Sequence, residues 1–274
     1  MASLRAAPSP GYGLETGLRV TDPGRAVEVT RLEFECLGMA CRLLALSPAP
    51  GRLEAGARWA RSVERRLSMR DGSSELSRLH AAAGRWVPVS PELESLLRAA
   101  LWAYEASGGL VHVGAAVPLG DGAGRPAPPL SAVLEVARRR AWLAPGARIA
   151  LAGLARSWMA DSLGGWLGEN AFADLGGSVC ACGPGPEGAG WPVDMTGETV
   201  MVIDAGVATS GIPGWEVVDP RTGRPAASDL RQVSVLAPTA IEAEVLARTA
   251  LLVGSRRAPA VLADRALGWA FREM

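Results

Sequence analysis

Two short stretches carry the residue types that anion chemistry requires. Asp219-Pro220-Arg221-Thr222-Gly223 sets a carboxylate, a guanidinium and a hydroxyl within one turn, and Ala208-Thr209-Ser210-Gly211 puts two hydroxyls beside a glycine. Taken alone, the first is a β-turn with proline at its second position, and the second is a small-residue loop at a strand end. Glu244 and Arg248 form a third pair of interest. Their i,i+4 spacing places both on one helical face, with glutamate ahead of arginine, the favourable order for an intrahelical ion pair. Arginine keeps its proton and has no acceptor, so that position cannot ligate a cation.

Other chemistries find little to stand on. Neither His80 nor His112 is followed at i+3 or i+4 by a second metal-type ligand, and no G-x-S-x-G elbow is present. A histidine-based zinc site and a serine hydrolase are therefore not expected. Cys36, Cys41, Cys180 and Cys182 lack C-x-x-C spacing, and the last two, on one face of a strand, read as small buried side chains. Gly183-Pro184-Gly185-Pro186-Glu187-Gly188 fits G-x-G-x-x-G, but two prolines and the following GAGWP oppose the helix that a dinucleotide fingerprint must open. A hairpin turn is expected there.

The whole chain of 274 residues is 49% hydrophobic and 20% charged, the make-up of a globular protein of one large domain or two intergrown ones. Its 28 basic residues balance 28 acidic ones, and every basic residue is arginine. Lysine Schiff-base and P-loop chemistry are thus excluded. With no arginine block, nucleic acid is not an expected partner. No apolar run is long enough to span a bilayer, and the opening residues lack the apolar core of a signal peptide, so a cytoplasmic protein with reduced thiols is expected.

Periodicity indicates the elements that position these residues. Residues 1–26 mix Pro, Gly and Arg without a repeat and predict a flexible N-terminal arm ahead of a domain over 27–274. VEVTRLEFECL and CRLLALS alternate, predicting strands that meet at Leu37-Gly38-Met39. Leu53, Ala57, Ala60, Val63 and Leu67 lie along one face of a helix that should pack on this hairpin. Asp71 and Ser73 offer caps to a short helix ended by Gly84, and Ser90-Pro91 opens a longer one. PLGDGAGRPAPP, residues 118–129, predicts a seam or surface loop. Beyond it a helix is expected near 131–142, a strand at RIALAGL, a helix over 155–168 and a strand at AFADLGGSVCACG. Short strands are expected near 191–193, 199–203 and 215–218. QVSVLA reads as a strand, Thr239 and Glu242 as a capping box for the next helix, and LGWAFRE as a final strand. This mixture predicts an α+β fold with mixed or antiparallel sheets and packed helices.

In chain order, SELSRLHAAAG, ALAGLARSWMAD, LGG, GVATSG, VVDPRTGRP and APTAIEAEVLARTALLVG resemble segments of the FAD:protein FMN transferase family, also called ApbE. The resemblance runs from about residue 34 to the end, and DPRTG downstream of ATSG is its most specific part. It implies an ApbE-like fold and a reaction with FAD as substrate. In that reaction a threonine hydroxyl of an acceptor protein, in a D-x-x-T-S-A-T-type motif, attacks the FAD pyrophosphate. FMN stays on the acceptor as a phosphoester and AMP leaves, normally with Mg²⁺ assisting. Matched positions are Ser74, Glu75, Ser77 and Arg78 beside the flavin cleft, and Gly176 and Gly177 at a close backbone approach. Thr209, Ser210 and Gly211 match the loop near the phosphates, with Asp219, Arg221 and Thr222 in the turn beside it.

The departures fall where such a family does its chemistry. In L-D-L-G-G-I-A-K-G the aspartate is replaced by Ala150, a glycine by Ala152, the lysine by Arg156 and the last glycine by Ser157. Ser178 replaces the aspartate after the glycine pair, Glu216 a histidine and His112 an aspartate. The family's metal-ligand pair, aspartate and then threonine, becomes Glu244 and Arg248. This implies that Glu216 or Asp219 accepts the hydroxyl proton, that Arg248, Arg221 or a displaced metal neutralises the pyrophosphate, and that turnover is weak or absent against the family norm. A non-catalytic flavin-binding protein or scaffold is the other class these residues admit.

Overall fold

The structure is a computed structural model and describes residues 14–22, 25–114, 124–211 and 217–274. β1 (Leu14–Asp22) pairs antiparallel with β2 (Arg25–Cys36), which pairs with β3 (Met39–Leu46). Thus part of the stretch expected to be an irregular arm is a strand: backbone pairing to β2 needs no side-chain repeat of the kind the Pro- and Gly-rich sequence lacks. The β2–β3 turn sits where the alternation places it, with positive φ at Leu37 (52°) and Gly38 (71°), as tight hairpin turns require.

α1 (Arg52–Leu67) buries Leu53, Gly56, Ala57, Ala60, Val63 and Leu67, the apolar stripe seen in the sequence. α2 (Glu75–Ala81) is capped by Ser74, whose hydroxyl accepts from Ser77 N. Asp71 and Ser73, the caps suggested by sequence, instead bond each other one turn earlier. After β4 (Val87–Pro88) comes α3 (Pro91–Ala106), capped by Ser90 as its Ser-Pro start predicts.

Residues 131–142, expected to be helical, form a 3-10 turn (Leu130–Ala132) and the hairpin β5 (Leu134–Ala137) and β6 (Arg140–Leu143). Arg139 takes φ of 59°, a left-handed conformation that closes a turn and would break a helix. RIALAGL is likewise no strand. Its first residues are irregular and its last open α4 (Ala152–Leu167).

AFADLGGSVCACG is two strands rather than one. β7 (Ala171–Leu175) and β8 (Val179–Cys182) fold back at Gly176-Gly177, whose φ values are 67° and 89°. β9 (Trp191–Met195) and β10 (Glu198–Val202) form a separate hairpin. The glycine-rich 183–188 segment joins β8 to β9 and opens no helix, and its amides are taken internally, Gly183 N by Asp204 and Gly185 N by Asn170. β11 (Ala205–Ser210) extends into the residues read as a loop, and β12 (Val218–Asp219) and β13 (Arg224–Pro225) bracket the DPRTG turn. β14 (Leu230–Ala237), α5 (Ala240–Val253), α6 (Ala258–Leu262) and β15 (Gly268–Glu273) complete the chain.

The main sheet is antiparallel throughout, in the order β1-β2-β3-β7-β8-β11-β14-β15. α1, α4 and α5 cover one face, and α2, α3 and the small β4–β6–β5 sheet pack behind them. The β9–β10 hairpin covers the other face, where Trp191, Val193 and Met195 meet Phe172, Val179 and Val207. Leu96, Leu97, Val111 and Val113 share one core cluster with Leu130 and Val133, so buried residues on both sides of 118–129 belong to one core. Residues 115–123 of that segment lie outside the described residues. Among the described residues, no helix is long and apolar enough to cross a membrane.

Candidate active site

The site is assembled around α4 and α5, which lie side by side on the sheet. α4 can lie close because it carries Gly164, where a Cβ would come within 2.5 Å of Cys180 Sγ on β8. α5 is fixed at its start by three acceptors. Thr239 takes Glu242 N at 3.3 Å, and the Asp161 carboxylate of α4 takes Ala240 N at 2.7 Å and Ile241 N at 3.0 Å. An anionic acceptor at exposed helix amides is favoured by the helix dipole as well. Burial nevertheless pushes the Asp161 carboxyl up to about 6, outweighing the two amide bonds that favour its charged form. β11 abuts the same end: a Cβ at Gly206 would lie 2.0 Å from Ala240 N.

One turn further along α5, Glu244 is 2% exposed and accepts from Arg248 Nη2 at 2.6 Å. The Arg248 guanidinium lies across the start of α4, where a Cβ on Gly153 would be 2.5 Å from Nη2. A second guanidinium, Arg156 of α4, feels the charges of both Glu244 and Arg248 and donates to Gly176 O at 3.4 Å. Burial holds the Arg156 pKa below the usual arginine value, with Glu244 opposing that shift. Behind it, Ser157 Oγ donates to Ser178 Oγ at 3.0 Å, both fully buried. Two departures from the family pattern thus pack on each other. This local set does not suit a divalent cation, because its carboxylate already holds one guanidinium and sits in the field of another.

The far end of α5 meets the DPRTG turn. Asp219 accepts from Arg221 at N (2.8 Å), Nε (2.9 Å) and Nη2 (2.8 Å), while Nη2 also donates to Leu252 O in the last turn of α5. These bonds to Arg221 hold the Asp219 carboxyl below the usual carboxylate range, and Asp219 in turn raises Arg221. A carboxylate so bonded is a weak base and a firm anchor. Thr222 Oγ1 closes the turn on Asp219 O at 3.5 Å. Ala127 N bonds Pro220 O at 2.7 Å and Gly124 N bonds Gly223 O at 3.2 Å, so the end of the 118–129 segment lies against this turn.

The two hydroxyls of the ATSG segment point opposite ways, because β11 is a strand there. Thr209 Oγ1 bonds Ser234 Oγ at 2.8 Å on the β9–β10 side of the sheet, while Ser210 is buried on the side of Ala208 and α5. Gly211 ends the strand with φ of 89°, and a Cβ there would lie 2.2 Å from Arg231 O.

The SELSR residues form a distinct group. Ser74 and Ser77 both donate to Ser68 O, Glu75 accepts from Ser90 Oγ at 2.8 Å and from Ser90 N, and Arg78 Nη1 donates to Ser73 O at 3.1 Å. Ser74, Glu75 and Arg78 line an open polar hollow of about 550 Å³ with Arg65, Arg66 and Arg139. Both histidines brace the approach to α4. His80 Nε2 accepts from Ile149 N at 3.1 Å, and His112 Nδ1 accepts from Gly114 N at 3.0 Å, while burial lowers the pKa of each.

Glu216 lies outside the described residues. The remaining sequence-expected residues fall at four places: Glu244, Arg248 and the Gly176-Gly177 turn around Arg156; Thr209, Ser210 and Gly211 at the end of β11; Asp219, Arg221 and Thr222 at the far end of α5; and the SELSR group. Asp161 was not singled out by sequence, although it is the lone acidic residue of α4.

A mainly antiparallel α+β domain with an arginine-rich locus between two sheet-packed helices is the class this fold and site define. The chain belongs to the ApbE family, whose family model matches residues 30–270. It is 29% identical over 300 residues to an FAD:protein FMN transferase of Treponema pallidum (strain Nichols), covering 88% of this chain and 83% of that one. Its fold is similar to that of flavin transferase ApbE from Vibrio cholerae, with a TM-score of 0.71 and 21% identity over 89% of this chain and 97% of that one. It is also similar to Pseudomonas stutzeri flavinyl transferase ApbE in its apo form, with a TM-score of 0.75 and 18% identity over 90% and 94%.

Proposed function

We propose that this chain is an FAD:protein FMN transferase: it binds FAD and moves the FMN part to a threonine of an acceptor protein. The observation that carries this reading is the family match over nearly the whole chain; the part-exposed Arg248 guanidinium, which suits the oxygens of a diphosphate, supports it. In the reaction the threonine oxygen forms a bond to the FMN phosphorus, the bridging P–O bond breaks, and its electron pair leaves with AMP. The threonine proton passes to a carboxylate. Glu216 suits that role better than Asp219, whose oxygens are tied to Arg221. Charge gathering on the phosphate oxygens is met by positioned cations, with little covalent work for the protein.

Arg221 anchors the DPRTG turn to α5, and Arg156 fixes the Gly176-Gly177 turn, so both act by holding backbone in place. Asp161 and Thr239 set the position of α5 and with it that of Arg248. A cytoplasmic setting, where thiols such as these four stay reduced, belongs to the same proposal. Incubating the full chain with FAD and a D-x-x-T-S-A-T peptide should add the mass of FMN to the threonine and release AMP. Retained FAD without adduct would replace this reading with a flavin-binding protein, and a chain that binds no flavin would reject both.

A further inference from the structure

We propose that the Arg248 guanidinium is the cation of this site, seated by Gly153 and Glu244, and that the chain holds phosphate without a divalent metal. The catalytic half of this inference rests on the transferase reading; the exclusion of metal does not.

Three observations carry it. Gly153 is the seat. It lies in the first turn of α4 with no positive φ to require glycine, and glycine disfavours a helix relative to alanine. This glycine matches the resembled motif, and the Arg248 guanidinium uses the room it leaves: Nη2, the end of a flexible side chain, lies 2.5 Å from where a Cβ would be. Glu244 is the counter-ion. At 2% exposure its carboxylate requires a compensating charge, and Arg248 supplies it at 2.6 Å. For a metal ion to take Glu244, the guanidinium would have to leave the carboxylate it now neutralises.

The third observation is the balance of charge. Among the described residues, the guanidiniums of Arg248 and Arg156 both act on Glu244, whose carboxylate Arg248 already neutralises, so a divalent ion there would meet repulsion from both. Among the described residues, no group of three histidine, cysteine or acidic side chains could hold an ion. Arg248 also has donors to spare. Its side chain is 23% exposed and its one described bond is to Glu244, while Nε is buried with no hydrogen-bond partner. A guanidinium with free edges suits the oxygens of a diphosphate, which it can take bidentately. Glu244, Arg156 and Gly153 are then positioning residues.

The test has a metal arm and an anion arm, both on the full chain. In the first, Mn²⁺ binding is followed by calorimetry and electron paramagnetic resonance without flavin. Wild type should bind no Mn²⁺ at millimolar concentration, and its melting temperature should be the same in MgCl₂ and EDTA. The double variant Glu244→Asp with Arg248→Thr should gain a Mn²⁺ site. Stoichiometric Mn²⁺ binding by wild type, competed by Mg²⁺ and lost in Glu244→Gln, would overturn the proposal.

In the second arm, FAD binding is measured by flavin fluorescence in EDTA. Arg248→Gln should weaken it about tenfold or more, and Arg248→Lys by less. Gly153→Ala should weaken it without removing any charge. If Arg248→Gln fails to fold because Glu244 is left unpaired, Glu244→Gln with Arg248→Met removes both charges and serves instead. Unchanged FAD affinity in a folded variant would overturn the role of Arg248. Wild type that binds no FAD would reject the transferase reading, leaving the metal arm to decide cation exclusion.

Discussion

Glu75 ties α2 to the start of α3 through both the backbone amide and the hydroxyl of Ser90, and Arg66 Nη1 stands 4.0 Å from it. Removing a buried acceptor leaves its donors without partners, which costs about 1–3 kcal/mol. Glu75→Ala should therefore lower unfolding stability by that amount in urea melts, while Glu75→Gln, which still accepts, should lose less. The sequence resemblance leads one to expect this glutamate beside a flavin, yet all its described bonds are internal, so its contribution is expected in stability more than in FAD affinity. Ser74 and Ser77 are similar, because both hydroxyls close on the Ser68 carbonyl. Motif residues were legible from sequence because their identities are shared. Their partners, Ser68 and Ser90, were not, since no local pattern announces which distant group a side chain will meet.

At the scale of elements, α5 depends on an acid from another helix. The Asp161 carboxyl titrates at about 6 in the folded chain against an ordinary 3.8. The native state therefore holds more protons than the unfolded one between those values, so this contribution is complete below the lower value and is lost as pH rises through the upper. Asp161→Asn removes that slope. The difference in unfolding free energy between wild type and variant should change by up to about 3 kcal/mol across this window, read from urea melts at stepped pH. Hairpin β2–β3, helices α1 and α3 and the Thr239 cap were legible, because each has a clean period and a punctuating residue. β5–β6 was not: Leu130, Val133, Leu134, Ala137 and Ala141 have helical spacing, while Leu134 with Val136 and Ala141 with Leu143 alternate as strands do, and the left-handed Arg139 decides between them. The opening of α4 was hidden for a related reason, since Leu151 offers no side-chain cap to mark it. The packing of Ser157 on Ser178 and of Arg248 on Gly153 follows from how α4 meets β8 and α5, and no single segment encodes it.

For the whole molecule, the described core falls into three packed clusters tied together by shared elements, the main sheet lining all three and α5 two of them. β1 adds one strand at an edge, paired only with β2. A chain starting at Arg25 should therefore unfold cooperatively with a similar calorimetric midpoint. The newly bared β2 edge should make it associate at high concentration, seen by light scattering. An α+β class with antiparallel pairing could be read from the sequence because helices and strands do not alternate strictly; strand order could not, since pairing depends on contacts far apart along the chain. That order has a consequence for biosynthesis. In the main sheet every strand pairs with the one before it in the chain, from β1 through β3, β7, β8, β11 and β14 to β15. A ribosome can thus extend the sheet from one edge to the other as the polypeptide emerges, and no strand has to wait for a later one to be inserted between it and its neighbour.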